Sequence, residues 1–301
     1  MSNSKQASAR IADSDFKAMT VSPSVAWPTV VLFLAVMLGI GTVNYQALTG
    51  HLPLWTGMIC NGLLTYFLFS VVHDSAHGSI SQHSRFNDFF GHIGMMFFGP
   101  LAPFNLARWI HMQHHRLTNV EGRDPDYFGH IIDKWTPLRW MFFDYYYTKF
   151  FLQQAGNIRK KFALRLIMQI SLVVFIIAGS IYAGYGWEVF FLWVMPTRIS
   201  SVLFITMFVY LPHVPFTHSS VEDEYKASSL RPGMEWLLSP LMMFQNYHLV
   251  HHLYPRAPFY RMEKIWNARL SMHMAQKPFI TGPFAEQYEN KVSAELKGVK
   301  A

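Results

Sequence analysis

Two copies of the pattern His-x-x-His-His stand far apart in this chain. The six histidines involved are His111, His114 and His115 in "HMQHH" and His248, His251 and His252 in "HLVHH". Residues i, i+3 and i+4 lie on one face of an α-helix, so each triplet can direct three imidazoles towards one point. Because neutral imidazole is a common ligand of transition metals, the spacing predicts metal binding.

Three further histidines extend the set. His73 and His77 form an i, i+4 pair in "HDSAH", and His213 ends an apolar segment in "YLPH". Nine imidazoles suit two ions of five or six coordination, and neutral nitrogen donors suit iron. Thiolate sites are excluded because Cys60 is the only cysteine, and the Glu-x-x-His pairs of carboxylate di-iron bundles are lacking. The sequence therefore predicts two iron ions bound by nine histidines.

Polar neighbours of these motifs could orient the rings by accepting their second N–H. Asp74 and Asn246 are predicted to do so, and Asp124 and Asp126 either do so or have a role in a loop or turn. His83, six residues past His77, stays open as a ligand. The remaining histidines are interpreted as ordinary surface or core residues, and they are His51, His92, His130, His218 and His273.

The elements that must position these residues are membrane helices. The composition is 51% hydrophobic and only 14% charged, and no Asp, Glu, Lys or Arg occurs from residue 18 to residue 72. A membrane span needs roughly 20 apolar residues. Four spans are predicted, at Trp27–Ala47, Leu54–Val72, Leu164–Ala183 and Glu188–Leu211. The short apolar stretch Phe89–Phe104, broken by glycine and proline, is expected to lie in the interface or to dip in and out.

The basic residues predict an orientation. Two hairpins put residues 1–26, 73–163 and 212–301 on one side, and every Lys and Arg outside the spans lies there. The positive-inside rule makes that side cytoplasmic, in a bacterial inner membrane. The predicted fold is all-α and integral to the membrane, with four transmembrane helices in two hairpins and a cytoplasmic helical cap that carries the histidines. The predicted parts are a cytosolic N-terminal tail (1–26), a membrane domain (27–262) and a cytosolic C-terminal tail (263–301).

The order HDxxH, HxxHH, a lone His at the end of the fourth span and HxxHH resembles the membrane fatty acid desaturase superfamily over about residues 50–262. "FVYLPHVPF" and "QNYHLVHHLYP" are similar to the carotenoid branch, and "QNYHLVHHLYP" is most similar to the desaturase-type β-carotene hydroxylases. "HDSAHGS" is similar to the β-carotene ketolases, and Ser81 stands where those hydroxylases usually carry a further His.

The resemblance implies a membrane di-iron enzyme that uses O2 to oxidise an unactivated C–H bond of a lipid-soluble substrate. Carotenoid-type hydroxylation is the predicted reaction, and fatty-acyl desaturation or β-carotene ketolation are the alternatives. Aromatic residues flank the histidine motifs and are candidates either for the substrate channel or for the aromatic belt at the membrane interface. They are Trp109, Tyr127, Phe128 and Phe244.

Electrons are expected from outside the chain, because it has no GxGxxG and no CxxC motif. A ferredoxin with its reductase would suit the basic face, which could equally contact anionic lipid. This face contains Arg116, Arg159, Lys160 and Lys161. The net charge of +7 is interpreted as a membrane-facing cytosolic surface and not as a nucleic-acid site.

Two other classes of function are less well supported. A haem-binding electron carrier is disfavoured because it would need only paired histidines. A metal transporter is disfavoured because it would need polar ligands within the spans.

Overall fold

The computed structural model describes residues 12–156 and 159–282, which form helices and loops with one isolated β-bridge, between Leu230 and Ile280. In chain order the helices are α1 (Asp13–Thr20), α2 (Trp27–Leu48), α3 (Leu54–His77), α4 (Ser84–Phe98), α5 (Phe104–Leu117), α6 (Thr136–Met141), α7 (Phe143–Gln154), α8 (Arg159–Tyr182), α9 (Gly186–His213), α10 (Glu235–Leu241), α11 (His248–Leu253), α12 (Met262–Ala268) and α13 (Leu270–Ala275). Short 3-10 turns occupy Pro125–His130, Gln245–Tyr247 and Phe259–Arg261.

Four of these helices, α2, α3, α8 and α9, are long and apolar enough to cross a membrane, which confirms the predicted all-helical membrane architecture. Helices α3 and α9 run past the predicted span ends, because hydropathy marks where a segment ceases to be apolar and not where its backbone ceases to be helical. Helix α3 continues to His77, and α9 continues to His213. The histidines of these two helices therefore lie on their last turns.

Helix α9 contains widened turns. A π-helical turn at Phe190–Val194 precedes Pro196, which has no N–H with which to bond the carbonyl of Leu192. The side-chain amide of Asn61 on α3 donates to that carbonyl over 3.0 Å. A second widened turn, Ile205–Tyr210, comes just before the histidine end of α9. An apolar segment thus keeps its backbone polar groups bonded within the bundle, as a membrane helix must.

The apolar stretch Phe89–Phe104 forms most of α4 and the start of α5. Two glycines of α4 allow it to pack closely against α3 and α5. A Cβ at Gly94 would lie 2.5 Å from Val72 Cγ2 on α3, and a Cβ at Gly91 would lie 2.2 Å from the ring of Phe104. Both distances are too short for a real Cβ, so these positions admit only glycine unless the neighbour shifts. The two helices are thereby held against the histidine end of α3.

The segments predicted as tails contain packed structure. Ile265, Trp266 and His273 of α12 and α13 are buried. Arg269 Nη2 donates to Asp13 Oδ1 of α1 over 2.6 Å, which joins the two ends of the described chain. The packed part of the protein therefore extends past the boundary predicted at residue 262, and residues 283–301 lie outside the described residues.

Candidate metal centre

All nine predicted histidines come together where four helices end. They lie on the last turns of α3 and α9, along α5 and along α11, and the ligand nitrogens fall into two adjoining groups. The five-histidine group consists of His73, His77, His111, His115 and His251. The four-histidine group consists of His114, His213, His248 and His252. The rings of His115 and His252, one from each group, stack with their centroids 4.3 Å apart.

Nitrogen atoms crowd together in the five-histidine group. The Nε2 atom of His111 lies 2.7 Å from Nε2 of His77 and 3.2 Å from Nε2 of His115, which lies 2.9 Å from Nε2 of His251. A neutral ring nitrogen offers either one N–H or one lone pair, so His111 Nε2 cannot make hydrogen bonds to both of its neighbours. Two nitrogens bound at right angles about 2.1 Å from one ion would be separated by about 3 Å. The spacing thus fits lone pairs that converge on a metal ion.

In the four-histidine group, the ring nitrogens that face away from the group contact oxygen atoms of neighbouring residues. Nδ1 of His213 lies 2.7 Å from the carbonyl oxygen of Val209, and Nδ1 of His248 contacts the amide oxygen of Gln245. Each contact fits a ring that donates its Nδ1–H and directs Nε2 into the group. The Nε2 atom of His213 is buried and has no partner among the described residues. An orphaned buried nitrogen is unfavourable, and a bound metal would satisfy it.

His73 and His251 have the same property. Both ring nitrogens of His73 and Nδ1 of His251 are buried with no hydrogen-bond partner in the described part of the chain. Five rings outside the spans have a pKa well below the ordinary value, mainly because they are buried and also because other imidazoles lie beside them. These rings are therefore neutral at pH 7, and each has a lone pair available. These five are His111, His115, His248, His251 and His252. The donor set therefore fits a metal that accepts neutral nitrogen ligands, as iron does.

His114 differs from the other eight because two carboxylates lie beside it. Its Nδ1 is 2.9 Å from Asp124 Oδ1 and 3.4 Å from Asp126 Oδ2, and all three side chains are almost fully buried. Burial alone would lower the pKa of His114, but the charges of Asp124 and Asp126 outweigh it and raise the pKa to about 9. The carboxylates hold the proton on Nδ1, and a metal bound in the four-histidine group would displace the proton on Nε2, which is directed at that group.

The other two predicted orienting residues bond elsewhere. Asp74 Oδ2 accepts from Thr29 on α2 over 2.9 Å, and its Oδ1 accepts from the backbone N–H of Phe259. The side-chain amide of Asn246 donates to Ser239 over 3.2 Å. Neither makes the predicted contact with a histidine ring. Asp74 follows His73 on α3, and its side chain points about 100° away from that of His73 around the helix axis, towards Thr29 of α2.

The loop after α9 bonds the end of α9, which carries His213, to the segment before α11, which carries His248 and His252. Arg231 is buried, and its guanidinium donates to the carbonyl of Leu211 over 2.8 Å. The backbone N–H of Ser229 donates to the carbonyl of Pro212 over 2.7 Å. The N–H of Arg231 donates to the carbonyl of Asn246, which lies just before α11. These bonds satisfy the carbonyls at the end of α9 and fix His213 relative to α11, a role of Arg231 that no sequence motif predicts.

The histidines outside the two groups are also placed. His83 is exposed at the start of α4 and belongs to neither group. The ring of His130 stacks on Phe216 with centroids 3.7 Å apart, and buried His273 stacks on Trp266. His51 and His92 are exposed, and His218 is partly exposed.

An apolar cavity begins at the five-histidine group. His73 and His111 lie in its wall, and its empty volume, including the mouth, is about 880 Å³. Most of the other wall residues are apolar, among them Phe69, Phe98 and Phe204. The apolar lining of this cavity suits a lipid-like molecule.

The four flanking aromatics predicted as channel candidates are not part of this wall. Trp109 packs on Phe150, Phe151 and Phe162; Phe128 stacks on Tyr146; Phe244 lies against Phe259; and Tyr127 lies against His130.

A model of the fatty acid desaturase family matches residues 49–281, which include all nine clustered histidines. The chain belongs to the fatty acid desaturase family. The resemblance inferred from the histidine motifs is thereby confirmed, and the family match extends beyond the segment that carried those motifs. This desaturase-family protein is an oxidoreductase of the membrane, and dependence on O2 and a non-haem di-iron centre fits its family.

Among the relatives of this desaturase-family protein are two β-carotene ketolases. The ketolase of Paracoccus sp. (strain PC1) is 27% identical over 213 residues, which cover 69% of this chain and 78% of the relative. The ketolase of Paracoccus sp. (strain N81106 / MBIC 01143) is 28% identical over 202 residues, 66% of this chain and 73% of the relative. An endoplasmic reticulum omega-3 fatty acid desaturase of Vigna radiata var. radiata is 23% identical over 67% of this chain and 60% of its own.

The contacts of the two aspartates give a paired test. Asp124→Asn is expected to lower metal affinity by roughly 10 to 100 fold, because the ring of His114 loses a charged acceptor. Asp74→Asn is expected to lower thermal stability and to leave metal affinity within a few fold, because its contacts are with Thr29 and Phe259. Metal titration and thermal unfolding of both purified variants would measure this. Equal loss of metal affinity in the two variants would contradict the distinction between the two aspartates.

Proposed function

We propose that this protein inserts oxygen into a C–H bond of a carotenoid-type polyene, with hydroxylation as the first step. The observation that carries the proposal is the apolar cavity whose wall contains His73 and His111 of the five-histidine group. Aromatic side chains at Phe69, Phe98 and Phe204 give that cavity flat walls suited to a conjugated chain or ring. The similarity to two β-carotene ketolases supports a polyene substrate.

The nine clustered histidines would hold two irons, five imidazoles to one ion and four to the other. When bound, iron would catalyse the reduction of O2 with two external electrons and two protons. One oxygen atom would enter the C–H bond to give an alcohol, and the other would leave as water. The residues of the chain have separate tasks. Asp124 orients His114, Gln245 orients His248, and the apolar wall holds the substrate and keeps water away.

A ketone product is the second candidate function, and the two ketolase relatives favour it. A second oxidation at the same carbon gives a carbon with two hydroxyl groups, which loses water to form the ketone. The same site serves both reactions, and the difference lies in whether the alcohol stays bound for a second turnover. Fatty-acyl desaturation is an outcome that the experiment below would detect.

The experiment is expression in bacteria that accumulate β-carotene, together with a ferredoxin and its reductase. The expected result is pigment with one or more added oxygen atoms, identified by mass and retention. His251→Ala serves as the inactive control, and His83→Ala, which changes an exposed histidine, serves as the active one. Unchanged β-carotene with newly unsaturated acyl chains in the same cells would contradict the proposal and establish a desaturase.

The electron donor is proposed to be an acidic ferredoxin that docks on the histidine side of the membrane. Arg116, Lys160 and Lys161 are exposed there and give the surface a positive charge. Opposite charges steer association and make its rate fall with salt. We place this side in the cytoplasm of a bacterial inner membrane, because the basic residues outside the spans lie on it.

The orientation predicts a labelling pattern. In a variant with Cys60→Ser, a cysteine at Glu224 is expected to react with an impermeant maleimide only in inverted vesicles or after lysis. A cysteine at Thr49, between α2 and α3, is expected to react in intact cells. Both positions are exposed, so accessibility within the protein does not limit either reaction. Labelling of Glu224→Cys from outside intact cells would reverse the orientation.

A further inference from the structure

A charged pair lies inside the helical bundle at the cavity. Arg198 stands about midway along α9, and its Nη1 donates to Asp144 Oδ1 over 2.6 Å and to the carbonyl of Met141 over 2.9 Å. Its Nε donates to Thr197 Oγ1 over 3.0 Å. Ionisable residues in the middle of a membrane helix are unfavourable unless paired, and they are generally functional. Asp144 supplies the pairing.

An unused donor lies at the cavity wall. Arg198 and Asp144 both line the cavity. The hydrogen bonds of Arg198 within residues 12–156 and 159–282 all use Nε and Nη1, and Nη2 donates to no group there. A guanidinium presents five N–H donors in a rigid plane, so an edge remains available to a molecule in the cavity.

Arg198 and the five-histidine group lie at different levels of α9. The ring of Phe208 contacts the ring of His73 with centroids 5.9 Å apart. Ten residues of α9 separate Arg198 from Phe208, so the guanidinium is attached more than two helical turns from that contact. The wall between the two ends is mostly apolar, and Phe204 lies in it. The wall also contains the polar residues Arg108, Tyr147 and Thr148; Arg108 donates to Asp88 and to the carbonyl of Ser75, and Tyr147 donates to Asp126.

We propose that the substrate carries an uncharged hydrogen-bond-accepting oxygen, a hydroxyl or carbonyl, which binds Arg198 Nη2 while another part of the molecule lies at the five-histidine group. The assignment rests on the proposed function, because it takes the cavity as the substrate site. Asp144 already balances the charge of Arg198, so a neutral oxygen fits and a carboxylate would leave a net negative charge in an apolar site. A polyene alcohol or aldehyde supplies such an oxygen. β-Carotene, which has no oxygen, leaves Nη2 unpaired and is expected to bind more weakly than an oxygenated polyene while remaining a substrate.

Binding to purified protein in nanodiscs tests this assignment. The probes are all-trans-retinol and the same molecule with its hydroxyl replaced by hydrogen, and retinoic acid tests the effect of charge. Wild-type protein is expected to bind the alcohol at least about tenfold more tightly than the hydrocarbon, since hydrogen bonds to charged groups are worth that much or more. Retinoic acid is expected to bind more weakly than the alcohol. Equal affinity for the alcohol and the hydrocarbon would overturn the assignment.

Variants separate substrate binding from a structural role of the ion pair. Arg198→Gln is expected to abolish the preference for the alcohol. Arg198→Lys keeps the charge beside Asp144 but has no second guanidinium nitrogen, so it is expected to lose most of the preference while remaining folded. Arg139→Gln is the matched control, because Arg139 pairs with Asp133 over 2.8 Å and does not line the cavity. A preference unchanged in Arg198→Lys would assign the pair a purely structural role.

Turnover of the same probes keeps the two proposals distinct. Preferential binding of the alcohol without oxidation of any polyene would support the Arg198 assignment and contradict the proposed oxygenase function. If the alcohol and the hydrocarbon are both oxidised and bind with equal affinity, the oxygenase function would be supported and the Arg198 assignment overturned.

Discussion

His251→Ala is expected to reduce the oxidation rate by more than about 100 fold and to lower the iron content from two ions to about one per chain. The loss exceeds the roughly 10 to 100 fold typical of a residue that only orients a ligand, because His251 would bind the metal itself. Its ring is almost fully buried, and its Nε2 lies 2.9 Å from Nε2 of His115. Product formation and iron analysis of the purified variant would measure both effects.

Two further variants make this result specific. His213→Ala is expected to remove the other ion, because His213 belongs to the four-histidine group and has a buried Nε2 with no partner among the described residues. His83→Ala is expected to retain full activity and two irons, since that side chain is exposed outside both groups. Full activity of His251→Ala would show that the five-histidine group is not the reaction site.

Ala107→Phe is expected to lower kcat/KM for the polyene by about 100 fold or more while the protein retains its iron. Ala107 lines the cavity on α5, one turn before His111, so a phenyl group there would occupy the space next to the five-histidine group. A misplacement of about 1 Å can reduce a rate by about 100 fold, and exclusion of the substrate reduces it further.

Ala35→Phe is the matched control for this prediction, because Ala35 is exposed on α2 and the substitution adds the same ring outside the bundle. Iron content and thermal unfolding of both variants would distinguish a filled cavity from an unfolded protein. Wild-type kcat/KM in a folded Ala107→Phe protein would mean that the substrate does not occupy this cavity.

The grouping of the nine histidines could be predicted because it depends on short-range periodicity. Residues i, i+3 and i+4 share a helix face whatever the rest of the fold, and long, predominantly apolar segments fix where the four long helices lie. The division into five and four could not be predicted. It depends on how α11 approaches both α5 and the end of α9, and Arg231 contributes by bonding the end of α9 and the carbonyl of Asn246 before α11.

Contacts that cross between distant segments also escaped prediction. Asp74 stands beside a ligand histidine in sequence, yet it bonds Thr29 on another helix, whereas Gln245 contacts His248 within one local segment. The cavity wall is another example. Trp109 lies two residues before His111, but two residues on a helix are separated by about 200°, so Trp109 packs on Phe150 on the opposite side.

The most direct test is an anaerobic titration of purified metal-free protein with ferrous iron, followed by X-ray absorption of the loaded protein. The structure predicts saturation at two irons per chain, with a first coordination shell of nitrogen or oxygen at about 2.1 Å and no sulfur. Saturation at one iron per chain, or sulfur in the first shell, would contradict the assignment of nine histidines to two metal ions.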